Sequence, residues 1–106
     1  KTIFVVDSNF VTSNRVGCYV AQNRWAVISG EFNADFTDTK NWSSVKILKF
    51  PISPLFNFDF VVTDEAGMSF IGFFDTDGYI TLAIRGYIPE NKKQILRFSC
   101  VVFTAI

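Results

Sequence analysis

The sequence predicts an all-β domain, a small Greek-key barrel or sandwich of about seven to eight antiparallel strands. Three observations lead there. Apolar residues alternate with a period of two along most of the chain. Clusters of Gly, Pro, Asn and Asp separate the alternating runs. No stretch keeps the i, i+3, i+4, i+7 spacing of an amphipathic helix, and no helix-start signal precedes a periodic run. With 106 residues the chain has the size of one domain, residues 1–106, and room for one core.

The first strand is expected in "TIFVV" (2–6), which is β-branched and aromatic, and the second in "VGCYVAQ" (16–22). Gln22-Asn23-Arg24 then turns the chain, since Asn tolerates the left-handed conformation a tight hairpin needs. In "WAVISGEF" (25–32), Trp25, Val27, Ser29 and Glu31 share one face. Ala26, Ile28, Gly30 and Phe32 share the other, which is the better core face. "NADFTDTKNWSS" (33–44) is polar and reads as a long loop. "VKILKF" (45–50) alternates again, and the prolines of "PISP" bar a central strand after it. "FNFDFVVT" (56–63) sets Phe56, Phe58, Phe60 and Val62 against polar or smaller neighbours. "DEAG" (64–67) is a turn with Gly67 free to take a positive φ. "MSFIGFFD" (68–75) and "YITLAIRG" (79–86) flank Asp77-Gly78, a strong hairpin signal. "YIPENKK" (87–93) is a loop, and "ILRFSCVVFT" (95–104) is a long last strand.

Composition excludes several classes of function. Ten basic and ten acidic residues are scattered along the chain, so nothing marks a nucleic-acid partner. No apolar run is long enough to span a membrane as a helix, and membrane insertion is not expected. There is no histidine, so Ser-His-Asp and Cys-His catalysis is ruled out. No phosphate loop or EF-hand pattern is present, and no metal or other cofactor is expected. Cys18 and Cys100 each sit in an apolar strand pattern, where buried free thiols are the expectation and a bridge between the two strands is the alternative. The chain starts on Lys1, without Met or a signal peptide, which suggests an excised or processed piece of a longer protein.

The hairpin "SFIGFFDTDGYITLAIRG" (69–86) is apolar on both faces, although a sandwich strand needs only one apolar face. A patch of that size left in water exceeds what a soluble monomer carries. The hairpin is therefore expected to be both core and subunit seam, with Ile71, Phe73, Leu82 and Ile84 at the interface. An unusually aromatic monomer is the alternative, because thirteen phenylalanines could fill a single core.

Binding chemistry is better represented than catalysis. Trp42 stands in a polar loop, where an aromatic ring can pack on the apolar face of a sugar while short polar groups hold the hydroxyls. The competing role for Trp42 is a lid over the barrel end. Arg85 and Arg97 interrupt apolar strands as donors, and Asp75 and Asp77 offer acceptors at the exposed hairpin, although turn chemistry explains these two as well. A pair of carboxylates could also support glycoside hydrolysis.

The order of features resembles the C-terminal head, or tip, domain of receptor-binding proteins from lactococcal siphophages. The matching stretches are the early hairpin "VGCYVAQNRWAVISGEFN", the Pro-containing "ILKFPISPLF", the segment "SFIGFFDTDGYITLAIRG" and a strand at the extreme C-terminus. The resemblance spans roughly residues 14–106 through loose motifs. It implies a β-barrel head that assembles as a homotrimer and binds a host cell-surface saccharide between neighbouring subunits. It implies a place in the virion, at the phage tail tip or baseplate, after synthesis in the bacterial cytoplasm. Other baseplate proteins would be contacted through a missing N-terminal part. Some heads of the family carry a His and an Asp on the strand after "SF" and tryptophans after "IT". Here those places hold Ile71, Phe73, Leu82 and Ala83, so that ligand set does not carry over. The resulting expectation is a non-enzymatic, trimeric adhesion domain with Trp42, Asp75, Asp77, Arg85 and Arg97 around the saccharide. A ligand-free trimerisation cap for a fibre and a carboxylate-dependent glycosidase are the competing readings.

Overall fold

A computed structural model describes residues 3–22 and 24–104. Eight strands form one antiparallel sheet: β1 (Phe4–Val5), β2 (Val11–Ala21), β3 (Trp25–Asp35), β4 (Ser43–Lys49), β5 (Phe58–Thr63), β6 (Ser69–Phe74), β7 (Tyr79–Ile84) and β8 (Lys93–Phe103). Their order is β1-β4-β7-β6-β5-β8-β3-β2, and the sheet curls into a nearly closed barrel. Strands β5, β6 and β7 form a meander, and β4 lies beside β7, which is a Greek-key arrangement. Of the two expected architectures, this is the barrel. No helix occurs among the described residues.

Alternation decides what faces inward. On β3, Ala26, Ile28, Phe32 and Ala34 are buried, and on β8 Leu96, Phe98 and Val102 join them. The core is largely a chain of phenylalanine rings. Phe36 meets Phe10 edge-on at 5.0 Å and stacks on Phe70 at 5.5 Å, filling one end of the barrel. A second run passes from Phe50 through Phe74, Phe58 and Phe60 to Phe98, with neighbouring centroids 5.3–6.0 Å apart. Ring pairs at these spacings add to the burial energy of each ring.

The two tight turns repeat one device. In 64–67 and 75–78, the Gly N–H bonds the Asp carbonyl, at 3.1 and 2.9 Å. The Asp Oδ1 takes two further backbone N–H groups, from Ala66 and Met68 in one turn and from Asp77 and Tyr79 in the other. Gly67 and Gly78 have φ of 81° and 88°, which closes each turn. The third hairpin turns at Gln22 with φ 53°, while Asn23 and the strand residue Thr2 of the sequence reading lie outside the described residues.

Several boundaries differ from expectation. Strand β1 has two residues, both exposed, and β2 begins five residues earlier than expected, in the polar run "VTSNR". The stretch 33–44 is a loop only from Phe36 to Trp42, because Asn33, Ala34 and Asp35 pair with Ile95, Gln94 and Lys93 of β8. Leu82 and Ile84 are fully buried inside the barrel, so they are not seam residues. The inward face of β7 alternates with the outer one, and a charge at Ile84 would unfold the domain rather than dissociate it. Ile71 is 46% exposed on the outer surface, and Phe73 is half-buried on the same face.

Cys18 pairs with Ile28, and Ile28 pairs with Cys100, so one strand lies between the two sulfur-bearing strands. Two strand spacings are about 9.5 Å, beyond the ~7 Å Cα limit of a disulfide. Burial pushes the Cys100 thiol up to about 11. Alkylation in denaturant without prior reduction should therefore add two groups by intact mass, and Cys100 should resist alkylation in the native state near pH 8. A mass showing no addition contradicts the register.

Candidate functional site

The chain ends of the strands divide the expected site residues into three places. Trp42 precedes β4 and Arg85 follows β7, and the last pair of that ladder is Ser43↔Ile84. The ladder stops there, because Trp42 turns away with a φ of 60°, and Trp42 and Arg85 are placed at the same end of the barrel as the residues flanking that last pair. Asp75 and Asp77 sit at the far end of β7, whose six residues span about 20 Å. Within one chain these residues therefore do not share a hollow with Trp42. Asp75 also spends its Oδ1 on the turn it caps. Arg97 lies on the outer wall of β8, with its Nε 3.0 Å from Glu31 Oε2.

The Trp42 end carries the features of a binding surface. Trp42 is 73% exposed, the most open large hydrophobic residue among those described. Its φ of 60° is uncommon for a bulky side chain and is held by local bonds. Asn41 Oδ1 accepts the N–H of Trp42 at 2.9 Å and that of Gly86 at 2.7 Å, tying the loop to the end of β7. Ser43 Oγ donates to the Lys40 carbonyl at 2.5 Å. The indole lies beside Gly86, where an added methyl group would touch it at 3.7 Å. The backbone that carries the ring is therefore held by hydrogen bonds, and the ring itself stands open to solvent rather than covering the barrel end as a lid.

At the same end is a hollow of about 270 Å³, whose lining combines Phe10 and Val45 with Asn9, Asp35, Asp38 and Lys40. Asp35 Oδ1 accepts from the Thr37 hydroxyl and N–H, and these bonds hold its carboxyl below the usual carboxylate range. Glu31, on the outer wall, is lowered by hydrogen bonds from Arg15 and then Arg97. Both carboxyls are thus pushed toward the ionised form, the opposite of what a glycosidase general acid needs. Among the described residues, no cluster of His, Cys, Asp and Glu is placed to hold a metal ion.

The sequence reading missed this hollow, because Asp35 and Lys40 were placed in one undivided loop and the 7–10 turn was not recognised. Asp7 Oδ1 caps that turn by accepting the N–H groups of Asn9 and Phe10, both at 3.1 Å. The "DSNF" run at 7–10 is a turn signal that could have found it.

The site belongs to an all-β barrel with an aromatic platform beside short polar groups. No protein-family model matches the sequence, and no curated protein matches it.

Proposed function

We propose that this domain is a non-enzymatic attachment module that binds a cell-surface saccharide at the barrel end around Trp42 and Arg85. The observation that carries the reading is a tryptophan 73% exposed on a loop whose backbone is held by hydrogen bonds. An exposed tryptophan costs solubility, and one on a held backbone loses less entropy when a sugar ring packs on it. Arg85 and Lys40 supply donors, and Asp38 and Asn9 supply acceptors for hydroxyl groups. The resemblance to phage receptor-binding heads fits the same reading, with a bacterial cell-wall saccharide as the ligand. The setting would then be the virion, at the tail tip or baseplate, with other baseplate proteins as neighbours. Glycan binding without release of reducing ends supports this function. Cleavage of the bound glycan contradicts it in favour of a glycosidase, and trimers that bind no glycan favour a fibre cap.

We infer that the domain works as a homotrimer, with the seam at the Trp25–Phe103 end of the outer face of β2, β3 and β8 rather than on the β6–β7 hairpin. Tyr19 and Val101 flank Val27 across this face, and Trp25 pairs with Phe103. Leu55 is tied to the same edge by its N–H bond to the Phe103 carbonyl. Tyr19, Val101, Phe103 and Leu55 are each more than half exposed, and with Trp25 they present on the order of 600 Å². That lies at the top of the range a monomer carries and near what one partner contributes to a stable interface. Sedimentation of the 12.0 kDa chain should give a trimer, and Val101→Glu should shift it toward monomer with its β spectrum intact. A wild-type monomer at micromolar concentration overturns the assembly.

A further inference from the structure

The barrel wall is breached between β5 and β8. Their ladder is the single pair Thr63↔Arg97. The two segments meet again only at the Pro54↔Thr104 bridge and the Leu55 bond to Phe103. The run from Pro54 to Thr63 is two residues longer than the run from Arg97 to Thr104, so the β5 side bows away from its neighbour. What opens is a shallow slit of about 680 Å³ in the outer wall, open to solvent along most of its extent. Phe98 forms its floor, backed by Phe60 at 5.3 Å, so the slit does not reach into the core. Val61, 59% exposed, forms an apolar side, and Thr63 and Ser99 bring hydroxyl groups.

The charges at its rim do not balance. Arg15 and Arg97 both bond Glu31, leaving one positive charge in surplus. Arg97 uses only its Nε, and its two Nη atoms make no hydrogen bond among the described residues. Glu31 takes the Nε side of that guanidinium, which leaves its outer edge as a fork of parallel donors facing solvent. A planar carboxylate takes such an edge in two bonds. A phosphate monoester would bring nearly two negative charges beside Glu31, more than the surplus matches.

We propose that this slit is a second binding site, for a sugar unit bearing a carboxylate, of the uronic-acid class. The carboxylate sits on the free edge of Arg97, the ring lies against Val61, and Ser99 and Thr63 meet its hydroxyls. The inference rests on the saccharide reading for the class of ligand, but its residues are separate. Strands β5 and β6 intervene in the sheet between β8 and the Trp42–Arg85 end of β7.

The test is titration of the isotope-labelled wild-type domain with trigalacturonate, with its fully methyl-esterified form and galactose 6-phosphate as controls. Trigalacturonate should bind saturably and shift the amides of Gly30, Thr63 and Ser99. The methyl ester should bind at least about tenfold more weakly, as should trigalacturonate to Arg97→Ala, since a charge-assisted bond is worth that much. Val61→Trp keeps every charge and should lose affinity by filling the slit, which guards against misfolding of the arginine variant. Equal affinity for the methyl ester, preference for the phosphate sugar, shifts confined to the Trp42 loop, or no binding to wild type overturns the proposal. Loss of host adsorption in Trp42→Ala together with no uronate binding overturns the slit alone. Uronate binding at the slit with adsorption insensitive to Trp42→Ala overturns the barrel-end reading alone.

Discussion

Gly30→Ala is expected to destabilise the domain by about 2–4 kcal/mol, more than any exposed substitution. Gly30 lies mid-strand in β3, paired on one side with Val16 of β2 and on the other with Phe98 of β8. Its φ is 145°, a conformation L side chains rarely adopt. A Cβ there would stand 2.2 Å from the Arg15 carbonyl oxygen and 2.6 Å from Val16 Cα. Both are backbone atoms of a strand fixed by an eleven-residue ladder partner, so no side chain can rotate away to make room. Gly67→Ala is the control. Its φ of 81° is also positive, but nothing lies within 4 Å of the added methyl, so the cost should be about 1 kcal/mol. Urea unfolding of the two variants separates close approach from backbone strain. Equal midpoints would mean that the β2–β3 contact yields easily and that Gly30 has no steric duty.

Trp42→Ala should leave folding nearly unchanged and lower saccharide affinity by about 2 kcal/mol per site, or some thirtyfold. The folding half follows from 73% exposure, since the ring buries little. The binding half follows from the open position of the ring, because among the described residues Phe36, the other aromatic of the 36–42 loop, is buried. Attachment by several linked heads would multiply the loss, so cell adsorption should fall more steeply than single-site affinity. Asn41→Ala keeps the indole but removes the acceptor that ties the loop to Gly86, and an intermediate loss is expected from it. Adsorption by Trp42→Ala equal to wild type, with the oligomer unchanged, contradicts this placement of the site.

The sequence carried the fold because most strands here alternate cleanly. The inward set Ala26, Ile28 and Phe32 on β3 could be read directly from its period. What escaped has identifiable causes. The start of β2 is polar on a sheet edge, with one partner strand, so Thr12 and Ser13 carry no hydrophobic signal. The two apolar faces of β6–β7 suggested a seam at Leu82 and Ile84, but the aromatic core of a curled sheet absorbs the inward face completely. The apolar face of β2, β3 and β8 drew less notice, since Trp25, Val27 and Ser29 read as the weaker side of β3. Among site residues, the placement of Trp42 and Arg85 at one end of the barrel depends on a ladder between strands far apart in sequence, which spacing alone does not reveal. Asp75 and Asp77 followed the turn reading instead, as local Asp-Gly chemistry does. Arg97 was legible as a break in an apolar strand, but its partner Glu31 lies on a strand 66 residues away.

The central claim is that the domain holds a saccharide on Trp42 without cleaving it. Tryptophan fluorescence during titration with purified bacterial cell-wall saccharide tests it most directly, with reducing ends assayed in the same samples. The account predicts a saturable change in emission that is lost in Trp42→Ala, with no reducing ends released. An unchanged spectrum from correctly folded wild-type protein, or sugar release that tracks protein concentration, would contradict it.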